Sequence, residues 1–130
     1  MLFSIDGKQI TEIPRRRQAD FNAWRNNLSN EDYENIIRNL HQVFDEAIES
    51  GQAREQNGIV TSSYIPGRDW TNTPYQPIYE ACGENFDQAR LFFGLLVWDA
   101  VMQHEDNWIF IRQEHDSDHP LGMTYFIGDI

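Results

Sequence analysis

Residues 85–106 constrain the fold more than any other segment, because their apolar side chains leave almost no polar face on a helical wheel. The few polar positions, such as Arg90 and Asp99, fall on different sides of that wheel. A helix that is apolar all round must be covered by other elements. The segment is too short and too interrupted to span a bilayer, which takes about 20 mainly apolar residues. The sequence therefore predicts the central helix of a soluble core.

The length of the chain, 130 residues, is typical of one domain, and such a chain buries about two thirds of its unfolded surface. Hydrophobic residues make up 40% of it, enough for an ordinary core, and neither a repeat nor a linker divides it. We predict a single α+β domain over residues 1–130.

A second helix is predicted over residues 30–50. Ser29 has the character of an N-cap, Gly51 of a stop, and apolar residues recur every three or four positions between them. A short helix is predicted around residues 21–28, and a further helical turn at residues 77–82.

The alternating segments predict strands. They comprise residues 2–5 and 9–13, joined by a tight Asp6-Gly7 turn, and then residues 59–65, 108–113 and 123–127. The predicted architecture is a small, mainly antiparallel sheet packed against the central apolar helix and the second, amphipathic helix.

The net charge of −11 arises from 21 acidic and 10 basic residues. Beyond Pro66 only Arg68, Arg90 and Arg112 oppose the carboxylates. A surface of this kind repels nucleic acid and anionic membranes and favours a basic protein partner, although acidity also serves solubility alone. The basic triplet at residues 15–17 is predicted to pair with carboxylates of the same chain.

Cys82 is the only cysteine, so the chain forms no internal disulfide and fits a reducing compartment. The first residues include an acidic side chain and no long apolar run, which does not resemble a signal peptide. We expect a cytoplasmic protein.

Residues 114–119 form the densest group of possible metal ligands, since histidine and carboxylate side chains both bind divalent ions. The group is Glu114, His115, Asp116, Asp118 and His119. His104 and Asp106 lie at the other end of the intervening strand, roughly 20 Å away for about six extended residues, and are not expected to share an ion with it. We interpret the segment as a plain solvated loop and assign no metal ligands; metal binding by this group is the alternative.

Asp99 stands among apolar neighbours on the central helix and is predicted to be partly buried. We expect it to pair with an arginine, Arg112 or Arg68, although a buried acid is also a candidate for catalysis. No nucleophile elbow or nucleotide-binding loop occurs in the sequence, so we assign neither catalytic residues nor a cofactor.

The segment between residues 64 and 79 is aromatic, lacks periodicity and contains prolines. Tyrosine, tryptophan and arginine are enriched at protein interfaces. The predicted partner-binding residues are Tyr64, Arg68, Trp70, Tyr75 and Tyr79. The competing interpretation is that Trp70 folds back over the central helix.

Two functions follow from these patterns. The first is a non-enzymatic, acidic protein that binds another macromolecule, as inhibitors, immunity proteins and nucleic-acid mimics do. The second is a small metal-dependent enzyme or metal-binding protein that uses residues 114–119. The sequence leaves the partner and the oligomeric state open.

Overall fold

Helix α4 (Phe86–Gln103) is the centre of the fold in the computed structural model, which describes residues 1–54, 59–60, 73, 75–112 and 123–128. Asn85 caps it, because its side-chain oxygen accepts a hydrogen bond from the Gln88 amide at 3.1 Å. Its buried residues are Ala89, Phe92, Phe93, Leu96, Val97, Trp98, Ala100 and Val101. Leu91 is 45% exposed, so the predicted coverage on every side fails on the face that it shares with Asp87.

Helix α2 (Asn30–Ser50) has the bounds that its capping residues predict. The Ser29 hydroxyl accepts a hydrogen bond from the Asp32 amide at 3.1 Å, and Gly51 ends the helix with a φ of 84°. That left-handed conformation is one that glycine adopts without steric cost. The apolar stripe of α2 buries Ile36, Ile37, Leu40, Phe44 and Ala47.

Two shorter helices also pack against α4. Helix α1 (Gln18–Asn26) follows a 3-10 turn and packs the Phe21 ring edge-on against Phe92, with 5.8 Å between ring centroids. Helix α3 (Gln76–Ala81) buries Ile78 and Ala81. Both helices were predicted, α3 with its start one residue late.

A five-stranded sheet has the order β2-β1-β4-β5-β3. Its strands are β1 (Leu2–Phe3), β2 (Gln9–Ile10), β3 (Ile59–Val60), β4 (Trp108–Arg112) and β5 (Met123–Ile127). The pairs β1–β2, β4–β5 and β3–β5 are antiparallel, whereas β1 and β4 are parallel. The mainly antiparallel sheet is confirmed, and so is the α+β class.

Strand β4 joins the sheet to the helices. The Trp108 ring lies 5.4 Å from that of Phe44 on α2, and the Phe110 ring lies 4.9 Å from that of Trp98 on α4. Trp108 and Tyr125 are buried almost completely. Alternate residues of β4 therefore contact different helices. In the described ranges, no helix combines the length and apolarity that a membrane span requires.

Substitution of Phe92 by alanine tests the central role of α4. Phe92 has no exposed surface and contacts the rings of Phe21 and Trp24. We expect Phe92→Ala to lower the free energy of unfolding, measured by urea denaturation, by about 3–5 kcal/mol. Leu91→Ala, at the exposed neighbouring position, is the control and should cost less than about 1 kcal/mol. Equal losses for the two variants would contradict this packing.

Cys82, directly after α3, is buried, and burial raises the pKa of its thiol from 9.0 to about 11. The native thiol at pH 8 should therefore react with an alkylating reagent at least ~100-fold more slowly than the thiol of the urea-unfolded chain. Between pH 9 and 11 the unfolded chain releases this proton while the native protein keeps it, so stability should fall as pH rises. Equal reactivity in both states would refute the burial.

Candidate functional site

His104 is the first residue beyond α4, at the point where the helix gives way to the turn that leads into β4. Its backbone is extended, with φ −71° and ψ 147°, and its amide still donates to the Val101 carbonyl at 3.2 Å. Only 4% of the residue is exposed. The ring lies between Phe44 of α2 and Trp108 of β4, at 5.8 Å from each ring centroid.

Both ring nitrogens of His104 have hydrogen-bond partners. Nδ1 lies 3.1 Å from the Trp108 indole nitrogen, and Nε2 lies 2.8 Å from a carboxylate oxygen of Asp45. An indole N–H can only donate. The Nδ1 atom must therefore accept, which places the single proton of a neutral imidazole on Nε2, from which it is donated to Asp45. These contacts assign the tautomer.

Asp45, His104 and Asp106 also satisfy the spacing of a metal site, since one ligand atom from each lies within 4.8 Å of the others. The surrounding donors oppose that reading. A metal on Nε2 would move the ring proton to Nδ1, which faces the Trp108 indole N–H and, at 3.3 Å, the Asp106 amide N–H. Metal-ligating histidines instead donate their second N–H to an acceptor. The donor set fits a structural hydrogen-bond chain, not a metal centre.

The same chain is not a catalytic triad. The arrangement of carboxylate, histidine and third group has the order of a triad, but the third group here is the Trp108 indole. An indole N–H does not act as a nucleophile in the way that a serine or cysteine does. Residues 114–119, the alternative candidate for metal binding, lie outside the described residues, so that alternative stays a hypothesis.

Two exposed carboxylates, those of Asp45 and Asp106, flank the ring of His104. Together with their exposed acidic neighbours in the sequence they form a set that we call the acidic pole, which consists of Asp45, Glu46, Glu49, Glu105 and Asp106. Three of these residues lie on the last turns of α2 and two in the turn after α4. The hydrogen bond from His104 holds Asp45, while Phe44 and Ala47 anchor the helix beneath it in the core. The pole is therefore built on a fixed framework.

The predicted internal pairing of the arginine triplet is seen once. Arg17 lies 3.5 Å from Asp20, and both side chains are substantially exposed. Arg15 and Arg16 are exposed as well. Across the part of the chain that the structure describes, this is the only ion pair that involves an arginine. Exposed pairs of this kind contribute little to stability.

The predicted partner-binding residues fall into two groups. Tyr64, Arg68 and Trp70 lie outside the described residues, and their role stays a prediction. Tyr75 is buried, with its ring edge-on to Phe93 at 5.2 Å, and burial raises the pKa of its hydroxyl. Tyr79 is partly buried and packs against the core. Tyr75 thus offers almost no surface to a partner and serves the core.

Asp99 is partly buried, as predicted, and its carboxylate accepts a hydrogen bond from the Tyr33 hydroxyl. The Gln103 amide donates to the other carboxylate oxygen at 3.0 Å and to the Tyr33 oxygen at 2.9 Å. The Arg25 guanidinium stacks 4.0 Å from the centre of the Tyr33 ring. The side chains of the expected partners Arg68 and Arg112 lie outside what the structure describes. Asp99 thereby joins α4 to α2.

Comparison with protein-family models, curated protein sequences and solved structures finds no match to this chain.

The Tyr33 hydroxyl has a pKa raised from 10.0 to about 12, first by burial and then by its bond to the Asp99 carboxylate. In a spectrophotometric titration, Asp99→Asn should shift that pKa downward, because the negative charge that disfavours the phenolate is removed. Asp87→Asn, an exposed change on the same helix, is the control and should leave the titration unchanged.

The same hydroxyl makes stability depend on pH. Between pH 10 and about 12 the unfolded chain releases the Tyr33 proton and the native protein keeps it, so the free energy of unfolding contributed by this group falls as pH rises.

An unchanged Tyr33 titration in Asp99→Asn would show that the carboxylate does not influence the pKa of the phenol.

Proposed function

We propose that this protein binds a basic surface of another protein through its acidic pole, and that it acts by occupying that surface rather than by catalysis. The class is that of inhibitors, immunity proteins and nucleic-acid mimics. The observation that carries the proposal is the exposure of all five carboxylates of the pole, with Asp45 and Asp106 close together around one histidine.

The charge balance supports this proposal. The chain has a net charge of −11, and the described basic side chains lie elsewhere in the sequence, from Lys8 to Arg38, at Arg54 and at Arg90. Like charges crowded on one surface destabilise a free protein and attract an oppositely charged partner over about a Debye length, ~8 Å at physiological salt. Complementary charge mainly increases the association rate and sets specificity. A basic enzyme surface fits this pattern better than nucleic acid or an anionic membrane.

The framework of the pole supports binding as well. A side chain that loses little freedom on association costs less conformational entropy. Asp45 already accepts a hydrogen bond from the buried His104 at 2.8 Å, and α2 is packed against α4 along its length. The predicted partner-binding residues Tyr64, Arg68 and Trp70 would add aromatic contact area to a complex. We place this binding in the cytoplasm, where Cys82 remains a free thiol.

Two variants of equal net charge test the proposal. Glu46→Gln, Glu49→Gln and Glu105→Gln together neutralise part of the pole without touching the Asp45–His104 bond. The control, Glu34→Gln, Glu80→Gln and Glu84→Gln, removes three exposed carboxylates elsewhere. A partner captured from source lysate at low salt is identified by mass spectrometry, and its affinity for each variant is measured by calorimetry.

We expect the pole variant to bind on the order of tenfold more weakly, because three surface charge pairs of up to ~1 kcal/mol each are lost. The control should retain most of its affinity, and added salt should weaken wild-type binding. Equal losses of affinity in both variants would show that binding depends on net charge and not on the position of the pole, which would contradict the proposal. Failure to capture any salt-sensitive, basic partner would refute the proposal.

A further inference from the structure

The bond between the Trp108 indole and His104 connects three parts of the fold. Trp108 has no exposed surface and begins β4, where it pairs with Leu2 of β1 and Ile127 of β5. Its backbone amide donates to the Met1 carbonyl at 2.9 Å. His104 ends α4 and is bonded to Asp45 of α2. One imidazole therefore links both long helices to the central strand.

Only the neutral imidazole can make this connection. Nδ1 accepts from the Trp108 indole at 3.1 Å and faces the Asp106 amide N–H at 3.3 Å. A protonated ring has two N–H donors and no acceptor. Rotation of the protonated ring by 180° does not restore an acceptor for the Trp108 indole, because the nitrogen that replaces Nδ1 also carries a proton. Protonation thus leaves the buried indole N–H without its acceptor, which is unfavourable.

Two carboxylates face the ring from different elements of the fold. Asp45 on α2 already accepts from Nε2, and a carboxylate oxygen of Asp106 in the turn lies 3.7 Å from Nδ1. The Met1 amino group beside β1 opposes them, since it donates to the carbonyls of His104 and Asp106. His41 of α2 lies edge-on, 5.2 Å between ring centroids, and its Nε2 donates to the Ala100 carbonyl at 2.8 Å.

The two sets of contacts compete on a single nitrogen. At high pH, Nδ1 is an acceptor for Trp108; when the ring gains a proton from solvent, Nδ1 becomes a donor, and the nearest anionic acceptor is Asp106. Histidine is the side chain that changes charge near neutral pH. The Nε2 atom of the ring is bonded to Asp45, whose side chain is 64% exposed, so this edge of the ring lies next to solvent.

We propose that His104 is a pH-sensitive latch, in which protonation transfers Nδ1 from the Trp108 indole to the Asp106 carboxylate and loosens the start of β4 from α2 and α4. The latched state is the neutral one. In the unlatched state the positive charge of the imidazolium also offsets one unit of the negative charge of the pole, beside Asp45 and Asp106. This inference does not depend on the proposed function, because it concerns the hydrogen bonds of the free protein.

Proton–nitrogen correlation NMR of the full chain tests the latch. The indole N–H of Trp108 should shift with a single titration step between about pH 8 and 5, the range in which histidines change charge. Over the same range its protection against exchange with water, measured relative to an exposed indole at the same pH, should fall on the order of tenfold. The nitrogen signals of the His104 ring should report the Nε2–H tautomer at pH 8 and an imidazolium at the low-pH end.

Matched variants separate the two neighbouring histidines. His104→Gln keeps a neutral side chain at all pH values and should abolish the step at Trp108, whereas His41→Gln should preserve it. If His104→Gln does not fold, the wild-type ring signals alone decide the question. A Trp108 signal that stays constant while His104 titrates would overturn the latch. So would an Nδ1–H tautomer at pH 8, or a His104 ring that stays neutral until the protein unfolds.

Discussion

Burial of α4 is the constraint on which the rest of the structure depends. Phe92, Phe93, Leu96 and Val97 have no exposed surface, and they are covered from different directions by α1, α2 and the segment around α3. Hydrophobic burial is non-directional and proportional to area. It therefore requires that other elements pack against α4 but does not determine which elements do so. The rings of Phe21 and Tyr75 pack edge-on against Phe92 and Phe93, each from a different part of the chain. Leu91 is the large apolar side chain of α4 that is exposed within the described ranges.

The two ends of α4 have a different requirement. Backbone groups that lack a partner within the helix need hydrogen bonds there, in a fold whose interior is apolar. At its start Asn85 satisfies a free amide locally. At its end the chain turns sharply, and His104 fills the space beneath the turn while bonding outward to Asp45 and inward to Trp108. A hydrocarbon side chain there would fill the volume but leave the buried indole N–H without an acceptor. Histidine meets both demands.

Local signals predict much of this fold, and non-local contacts account for what they miss. Ser29, Gly51 and Asn85 act within a turn of their own positions, so sequence is enough to place the helix ends. The parallel pairing of β1 with β4 joins residues about a hundred positions apart and leaves no local trace. The burial of His104 is likewise non-local. Its sequence neighbours Glu105 and Asp106 indicate a solvated turn, and only the approach of Phe44 from α2 encloses the ring. The spacing of His104 and Trp108 was the available signal, but the sequence does not distinguish a bonded pair from two unrelated residues.

The position of a neutral histidine beneath exposed carboxylates connects the core to the surface. A carboxylate at the end of α2 gains nothing from the helix dipole, whose negative end lies there, so Asp45, Glu46 and Glu49 are unfavourable to α2 itself. Asp45 is partly compensated, because it accepts a hydrogen bond from a ring that the core holds in place. Glu46 and Glu49 have no such bond to His104, although the Gln42 amide donates to Glu46 at 3.4 Å. Like charges at one end of a helix repel one another, and a cationic surface that covered them would relieve that repulsion. That difference between the free and the covered state is the physical reason to look for the proposed partner at this end of the molecule.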